Sequence, residues 1–163
     1  MASYVYPGCG YGGYCLPKDT NALYAVAKTA GFDAQILHNV ISVNDHMPQF
    51  IANKIVRTIG SDKQQCIGIL GLSFKPGSDD VRDTPSAKII RELQAAGYHN
   101  ICGYDPVAIG EFQRYYSLPM TFAESYEDLL SRAQSLVITT AWPEFKDVKE
   151  RTDKPVIDCR YML

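Results

Sequence analysis

From Ser61 onward, short apolar runs alternate with amphipathic stretches. "QQCIGILGLSF" is a continuous apolar run of the kind found in strands buried on both faces. "KPGSDDVRDTP" after it is a polar, glycine-containing loop. "PSAKIIRELQAAG" places Ile89, Ile90 and Leu93 on the inner side of a helix that opens near Thr84 and Pro85 and closes at Gly97. The alternation continues with "NICGYDP" as a strand, "EFQRYY" as a helix, "MTF" as a brief strand and "SYEDLLSRA" as a helix. It ends with "SLVITTA" as a strand, "PEFKDVK" as a short helix and "KPVIDC" as a last strand. Strands alternating with helices at this interval predict an α/β fold with a parallel, doubly wound sheet.

The first 60 residues carry a different pattern. "DTNALYAVAKTAG" has Leu23, Ala27 and Ala30 at helical spacing before Gly31 stops it. In "FDAQILHNVISVNDHMPQFIANKIVRTIG" the apolar residues Leu37, Val40, Ile41, Met47, Ile51 and Ile55 recur with a period close to 3.6. The stretch reads as one long helix kinked at Pro48, or as two helices, the second with Pro48 in its first turn. An amphipathic element of this length suits a dimer surface or an ordinary core helix. Neither His38 nor His46 has a partner at ligand spacing, and both read as solvated or structural. The chain therefore divides into a helical segment over 1–60 and an α/β unit over 61–163.

Between Gly8 and Gly13, "GCGYGG" reads as a tight loop. Pro17 is a plausible first helical residue and Asp19 brings a carboxylate into the first turn, so Cys15 lies at or just before a helix N-terminus. There, free N–H groups and the macrodipole favour a thiolate, and Lys18 adds a positive charge; both make the sulfur more nucleophilic. The same local pattern also suits a cysteine that merely packs at a helix start. Cys66, Cys102 and Cys159 sit in or beside apolar runs, where a free cysteine behaves as a small buried hydrophobe.

Composition narrows the function classes. The chain has 163 residues, 46% of them hydrophobic and 21% charged, enough for one well-cored domain plus an appendage. A net charge of −2, with Lys and Arg spread throughout, argues against nucleic acid as a partner. No apolar run approaches the roughly 20 residues that span a bilayer, and a cytoplasmic location is expected. The five cysteines are odd in number and scattered, without a C-x-x-C pair, which argues against a disulfide framework and structural zinc. No metal is expected.

In doubly wound sheets ligands collect beyond the carboxyl ends of the strands, a rule that picks out Lys75, Arg82, Asp105 and Arg160. "GLSFKPGSDDVR" is not a G-x-G-x-x-G dinucleotide fingerprint, because Leu72, Ser73 and Phe74 follow Gly71. Lys75 and Arg82 could instead grip a phosphate or sugar hydroxyl, or be solvated loop charges.

The motifs "GYGGYCLPKDT", "VISVND", "IGILGLSFKPGSDDVRDTPS", "GYDP", "ITTAWPEF" and "VIDCRYML", in this order, resemble the C-terminal part of the UDP-glucose/GDP-mannose dehydrogenase family. The resemblance runs through nearly the whole chain. It implies a Rossmann-like sheet preceded by a helical dimerisation segment. The implied reaction is a four-electron oxidation of a nucleotide sugar's primary alcohol to a carboxylate, with two NAD molecules used in turn. Cys15 would attack the intermediate aldehyde, and the resulting thiohemiacetal would be oxidised to a thioester that water hydrolyses. Asp19 matches the family's catalytic aspartate, which orients water or passes a proton. Phe74 and Lys75 match the nucleotide-sugar loop, and Arg160 matches the arginine near the Asp-Gly-Arg ending. Tyr11, Gly12 and Gly13, with Gly10, would let the backbone approach the substrate. A UDP-glucose-like ligand and a homodimer are the partners implied.

The departures from the pattern carry expectations too. Cys159 replaces the usual glycine beside Arg160 and puts that arginine's orientation in question. Tyr14 stands where serine is common, and Cys9 adds a second thiol. The resemblance begins at the loop just before the nucleophile, which implies a fragment or truncated product without the NAD domain. NAD is then not expected to bind this chain alone, and a separate NAD-domain polypeptide is a possible partner. The alternatives are a non-catalytic nucleotide-sugar-binding or dimerisation module and a functionless remnant.

Overall fold

In the computed structural model, residues 7–163 are described. Two helices come first: α1 (Cys15–Thr29) and α2 (Gln35–Ile59). Five strands follow, β1 (Ile67–Leu70), β2 (Ile101–Tyr104), β3 (Thr121–Phe122), β4 (Ser135–Ile138) and β5 (Val156–Asp158). Between them run α3 (Pro85–Ala95), α4 (Ile109–Tyr115), α5 (Tyr126–Arg132), a 3-10 turn (Pro143–Asp147) and α6 (Val148–Arg151). The strand order is β3-β2-β1-β4-β5, and every pairing is parallel. The chain winds outward from β1 in one direction and then the other, so the order reverses between β1 and β4. That is the switch point where such sheets open a crevice.

Alternation along β1 sorts side chains between two cores. Ile67 and Ile69 face a core shared with Ile51 and Ile55 of α2, Ile89, Ile90 and Leu93 of α3, Ile101, Val137 and Ile157. Cys66 and Leu70 face the other, with Cys102, Leu129, Leu136, Ile138, Phe145 and Val148. Each buried Leu, Ile or Phe contributes about 1.5–3 kcal/mol by leaving water, so this sandwich carries the stability of the α/β unit. Thr84 precedes α3 in extended conformation, Pro85 occupies its first turn, and Gly97 follows its end at φ +91°.

The helical segment is covered unevenly. Residues 35–59 form one helix that passes through Pro48. The inner face of α2 is buried at Asn44, Pro48, Ile51, Ala52 and Ile55, while Val40 is exposed and Leu37 and Ile41 are only half-buried. Helix α1 buries none of its residues. The apolar stripe predicted for α2 thus meets the sheet domain along its second half alone.

Candidate active site

The loop ahead of α1 lies across the carboxyl ends of β1 and β4. Cys9 is fully buried there, and its thiol donates to the carbonyl of Thr139, just past β4, at 3.5 Å. Two residues of this loop then dock on the segment linking β1 to α3. A Cβ on Gly12 would stand 2.2 Å from the carbonyl oxygen of Asp83, closer than any side chain permits. Gly13, at φ +82°, donates its N–H to Arg82 O at 2.9 Å, and a Cβ there would touch the Phe74 ring at 3.0 Å. What Gly12 and Gly13 approach so closely is the protein's own β1–α3 loop. Asp83 completes the turn at φ +50°, a conformation uncommon for a residue with a side chain.

This docking delivers Cys15. It is the first residue of α1, follows the N-cap residue Tyr14, which supplies no side-chain cap, and is the exposed member of the five cysteines. Uncapped first-turn N–H groups therefore point toward its surroundings. Arg82 grips Asp80 through two bonds of 2.9 and 2.7 Å, and its guanidinium stands 4.7 Å from the centre of the Tyr14 ring. Those hydrogen bonds hold the Asp80 carboxyl below its ordinary 3.8. Lys18 reaches the same Tyr14 ring at 5.5 Å and pairs with Asp19 at 3.0 Å. The Asp19 hydrogen bond holds the Lys18 ammonium above its ordinary value, and both Lys18 and Arg82 lie within electrostatic reach of Cys15. Asp19 is exposed on α1, one turn beyond Cys15 on the same side. Lys75 is exposed beside Phe74, 5.3 Å from its ring, and pairs with no carboxylate among the described residues.

The other flank of the loop faces a cleft of about 700 Å³ lined by Gly8, Gly10, Tyr11, Asn44 and Arg160, with an apolar wall that includes Ile36 and Val40. Asp158 shapes its rim by accepting from the N–H groups of Arg160, Met162 and Leu163 at 2.7, 2.7 and 3.0 Å. Cys159 does not crowd this rim. Its side chain turns into the core, 3% exposed, and burial pushes its thiol up to about 12. Burial also raises the Cys9 thiol, against the opposing pull of the nearby Arg160. Arg160 is left half-buried with its guanidinium against Gly8. Cys15, Gly12, Gly13 and Phe74 thus form one group with Arg82, whereas Tyr11 and Arg160 line the cleft on the other flank. Cys15 is not among the cleft's lining residues.

Asp105 has a different task. Its buried Oδ2 accepts from Leu72 N, Ser73 N, Ser73 Oγ and Trp142 Nε1 at 2.8–3.1 Å, and its Oδ1 accepts from Val107 N and Ala108 N. With both oxygens consumed, it is a scaffold that fixes the turn leading to Phe74 and Lys75. This also bears on NAD. Leu72 N and Ser73 N are spent on Asp105, Thr140 fills the space beside Gly71, and α3 starts only at Pro85. The turn after β1 does not fit a dinucleotide pyrophosphate, which needs free N–H groups and an adjoining helix N-terminus. Sequence reasoning missed Asn44, whose side chain holds Tyr11, and Trp142, which reaches Asp105. The signal for Asn44 was available, since it falls on the face of α2 that buries Pro48, Ile51 and Ile55.

Known proteins match in the same order as these parts. The UDP-binding domain of the UDP-glucose/GDP-mannose dehydrogenase family matches residues 68–163, and the central domain of that family matches 1–46. UDP-glucose 6-dehydrogenase TuaD of Bacillus subtilis is 37% identical over 155 residues, covering 92% of this chain and 33% of that protein. UDP-glucose 6-dehydrogenase AglM of Haloferax volcanii is 33% identical over 160 residues, covering 96% and 36%. Among solved structures, a UDP-glucose dehydrogenase from Pyrobaculum islandicum superposes with a TM-score of 0.87 at 32% identity, covering 95% of this chain and 35% of that one. A GDP-mannose dehydrogenase from Pseudomonas aeruginosa shares the fold with a TM-score of 0.81 at 24% identity, covering 98% and 38%. The chain spans about a third of the length of the relatives it matches. A cysteine loop docked on the β1–α3 turn, a parallel sheet of this order and a matching UDP-binding domain place the chain in the UDP-glucose/GDP-mannose dehydrogenase family.

Proposed function

We propose that this chain is the nucleophile-bearing and nucleotide-sugar-binding part of a dehydrogenase of the UDP-glucose 6-dehydrogenase type. The observation that carries the reading is the docking of Gly12 and Gly13 on Phe74, Arg82 and Asp83, which presents the exposed thiol of Cys15 beside the loop that carries Lys75. In this reading Lys75, beside Phe74, supplies positive charge for a phosphate as a point charge, and Arg160, in the cleft on the other flank, offers its fork to a phosphate or sugar hydroxyl. Phe74 and Tyr11 offer flat apolar surface at the two flanks. Cys15 is the nucleophile toward a carbonyl carbon of the sugar. Asp19, one helical turn on, orients water or moves a proton.

The hydride acceptor is NAD, held by a domain outside these residues, whether on the same polypeptide or a separate one; bound there, it supplies the two-electron oxidations. The apolar face that α1 and α2 leave uncovered is shared with a second copy in a homodimer.

Calorimetric titration with UDP-glucose, UDP-glucuronate, GDP-mannose and NAD tests the proposal. The expected result is binding of a uridine diphosphate sugar, weakened by Lys75→Ala by about tenfold, as for loss of one charge-assisted contact, with no heat from NAD. No binding of any nucleotide sugar would overturn it.

A further inference from the structure

Helix α2 buries Asn44 at the head of a stripe that continues through Pro48, Ile51, Ala52 and Ile55. A buried amide is costly unless both its ends are hydrogen-bonded. In Asn44 both ends go to one residue. Its Oδ1 accepts from Tyr11 N at 2.7 Å, and its Nδ2 donates to Tyr11 O at 3.2 Å. The side chain thus occupies both main-chain polar groups of Tyr11 and fixes the peptide planes on either side.

The loop is shaped to accept this grip. Gly10 sits at φ +97°, and a Cβ there would stand 2.8 Å from Asn44 Oδ1, so the loop closes on the amide because residue 10 has no side chain. Beyond Tyr11 the chain is fixed once more, where Gly13 N donates to Arg82 O at 2.9 Å. Tyr14 alone then separates the second anchor from Cys15. One anchor belongs to α2 and the other to the β1–α3 loop, so the thiol is placed by two independent parts of the molecule.

We propose that Asn44 is a positioning residue for Cys15: it ties the cysteine loop to α2 and so sets where the thiol stands relative to a bound nucleotide sugar. This rests on the nucleotide-sugar reading above. Asn44 makes no hydrogen bond to the sulfur, and in this role it acts through the backbone of Tyr11. A shift of α2 is transmitted through the same pair of bonds to the nucleophile.

The test uses a uridine diphosphate that carries a chloroacetyl group. The Cys15 thiolate displaces chloride from the CH2 carbon, so a C–S bond forms as the C–Cl bond breaks. Iodoacetamide, which has no nucleotide to direct it, reports on the thiol itself. With Asn44→Ala, the labelling rate at saturation is expected to fall by about tenfold or more, as for a misplaced reacting group. The iodoacetamide rate is expected to stay within about threefold, since the chemistry of the thiol itself is untouched. Asn44→Asp keeps the acceptor for Tyr11 N and should lie between the two. If Asn44→Ala does not fold, Asn44→Asp is judged by the same criterion. A saturated rate within twofold of the unsubstituted chain overturns the proposal, and so does an equal fall with both reagents, which would place the defect in the thiol. Absence of saturation in the unsubstituted chain overturns the nucleotide-site reading and this proposal with it; saturation with an indifferent variant overturns this proposal alone.

Discussion

Asp105 and Asn44 are both buried polar side chains, and both act by holding backbone N–H groups. Asp105 was legible in the sequence as a strand-end carboxylate, yet its role was not, because that depends on where the amides of Leu72 and Ser73 point, a matter of tertiary geometry. Cys15 was legible in position, since glycines before it and Pro17 after it define a loop and a helix start, while its exposure is set by the fold. Cys159 is the reverse case, a cysteine whose burial protects its proton. Burial first, and then the neighbouring Cys9, raise its thiol from the ordinary 9.0 to about 12. An unfolded chain ionises at the ordinary value. A group raised in the folded state contributes stability below 9.0 and loses it as pH climbs toward 12. Tyr126, raised from 10.0 to about 12 chiefly by burial, adds a second loss that starts higher. Urea unfolding midpoints should therefore fall progressively above pH 9, and Cys159→Ala should lessen the first part of that decline while leaving the share of the buried Cys9 thiol and the Tyr126 part. Equal slopes in variant and parent would show that Cys159 is not the titrating group.

At the scale of elements, periodicity was a reliable guide wherever an element meets the core over its full length. Ile89, Ile90 and Leu93 of α3 and the apolar run of β1 are buried as their spacing requires. For α2 the period marked the long helix over Gln35–Ile59 and left its covering open, because a stripe in the sequence records an apolar face without recording what covers it. The glycine loop was legible as a loop, but its docking partner was not, since Gly12 and Asp83 are distant in sequence and meet only through the fold. That contact yields a sharp expectation. In Gly12→Ala the new Cβ would lie 2.2 Å from Asp83 O, backbone on both sides, so neither partner can yield cheaply. The loop must lift off the β1–α3 segment, at a cost of about 1–3 kcal/mol typical of overpacking. Nucleotide-sugar binding should weaken with it, because the lift separates Cys15 from Phe74 and Lys75. Gly31→Ala makes a fitting control: nothing lies within 4 Å of its Cβ, and its φ of +72° gives backbone strain without a clash. A Gly12→Ala chain as stable and as competent in binding as its parent would contradict the docking geometry.

For the molecule as a whole, the uneven coverage of α1 and α2 is the dominant surface feature. Leu23, Val26, Phe32, Ile36, Val43 and Phe50 are each more than half exposed, with Ile36 at 84%. An apolar groove of about 500 Å³ runs between the two helices, lined in part by Leu23, Ala27, Phe32, Ile36 and Val40. Isolated apolar side chains are ordinary on a protein surface, but a contiguous band along two helices is not. No helix among the described residues is long and apolar enough to cross a membrane. A second copy covers such a band by placing the same face of both chains across a twofold axis, which satisfies both faces at once and leaves no open end for further growth. A stable pairing of this kind needs roughly 1,200–2,000 Å² in total, which two helices per chain can supply. Light scattering should therefore find twice the chain mass at micromolar concentration. Ile36→Glu and Phe50→Glu should each return the monomer without loss of folded structure, since neither side chain belongs to the core and a buried unpaired charge would fall at the interface. If the unsubstituted chain is monomeric throughout, the dimer is excluded, and the band is left for a different polypeptide to cover. If instead it dimerises and both variants do too, the pairing runs through another face and the apolar band takes no part in it.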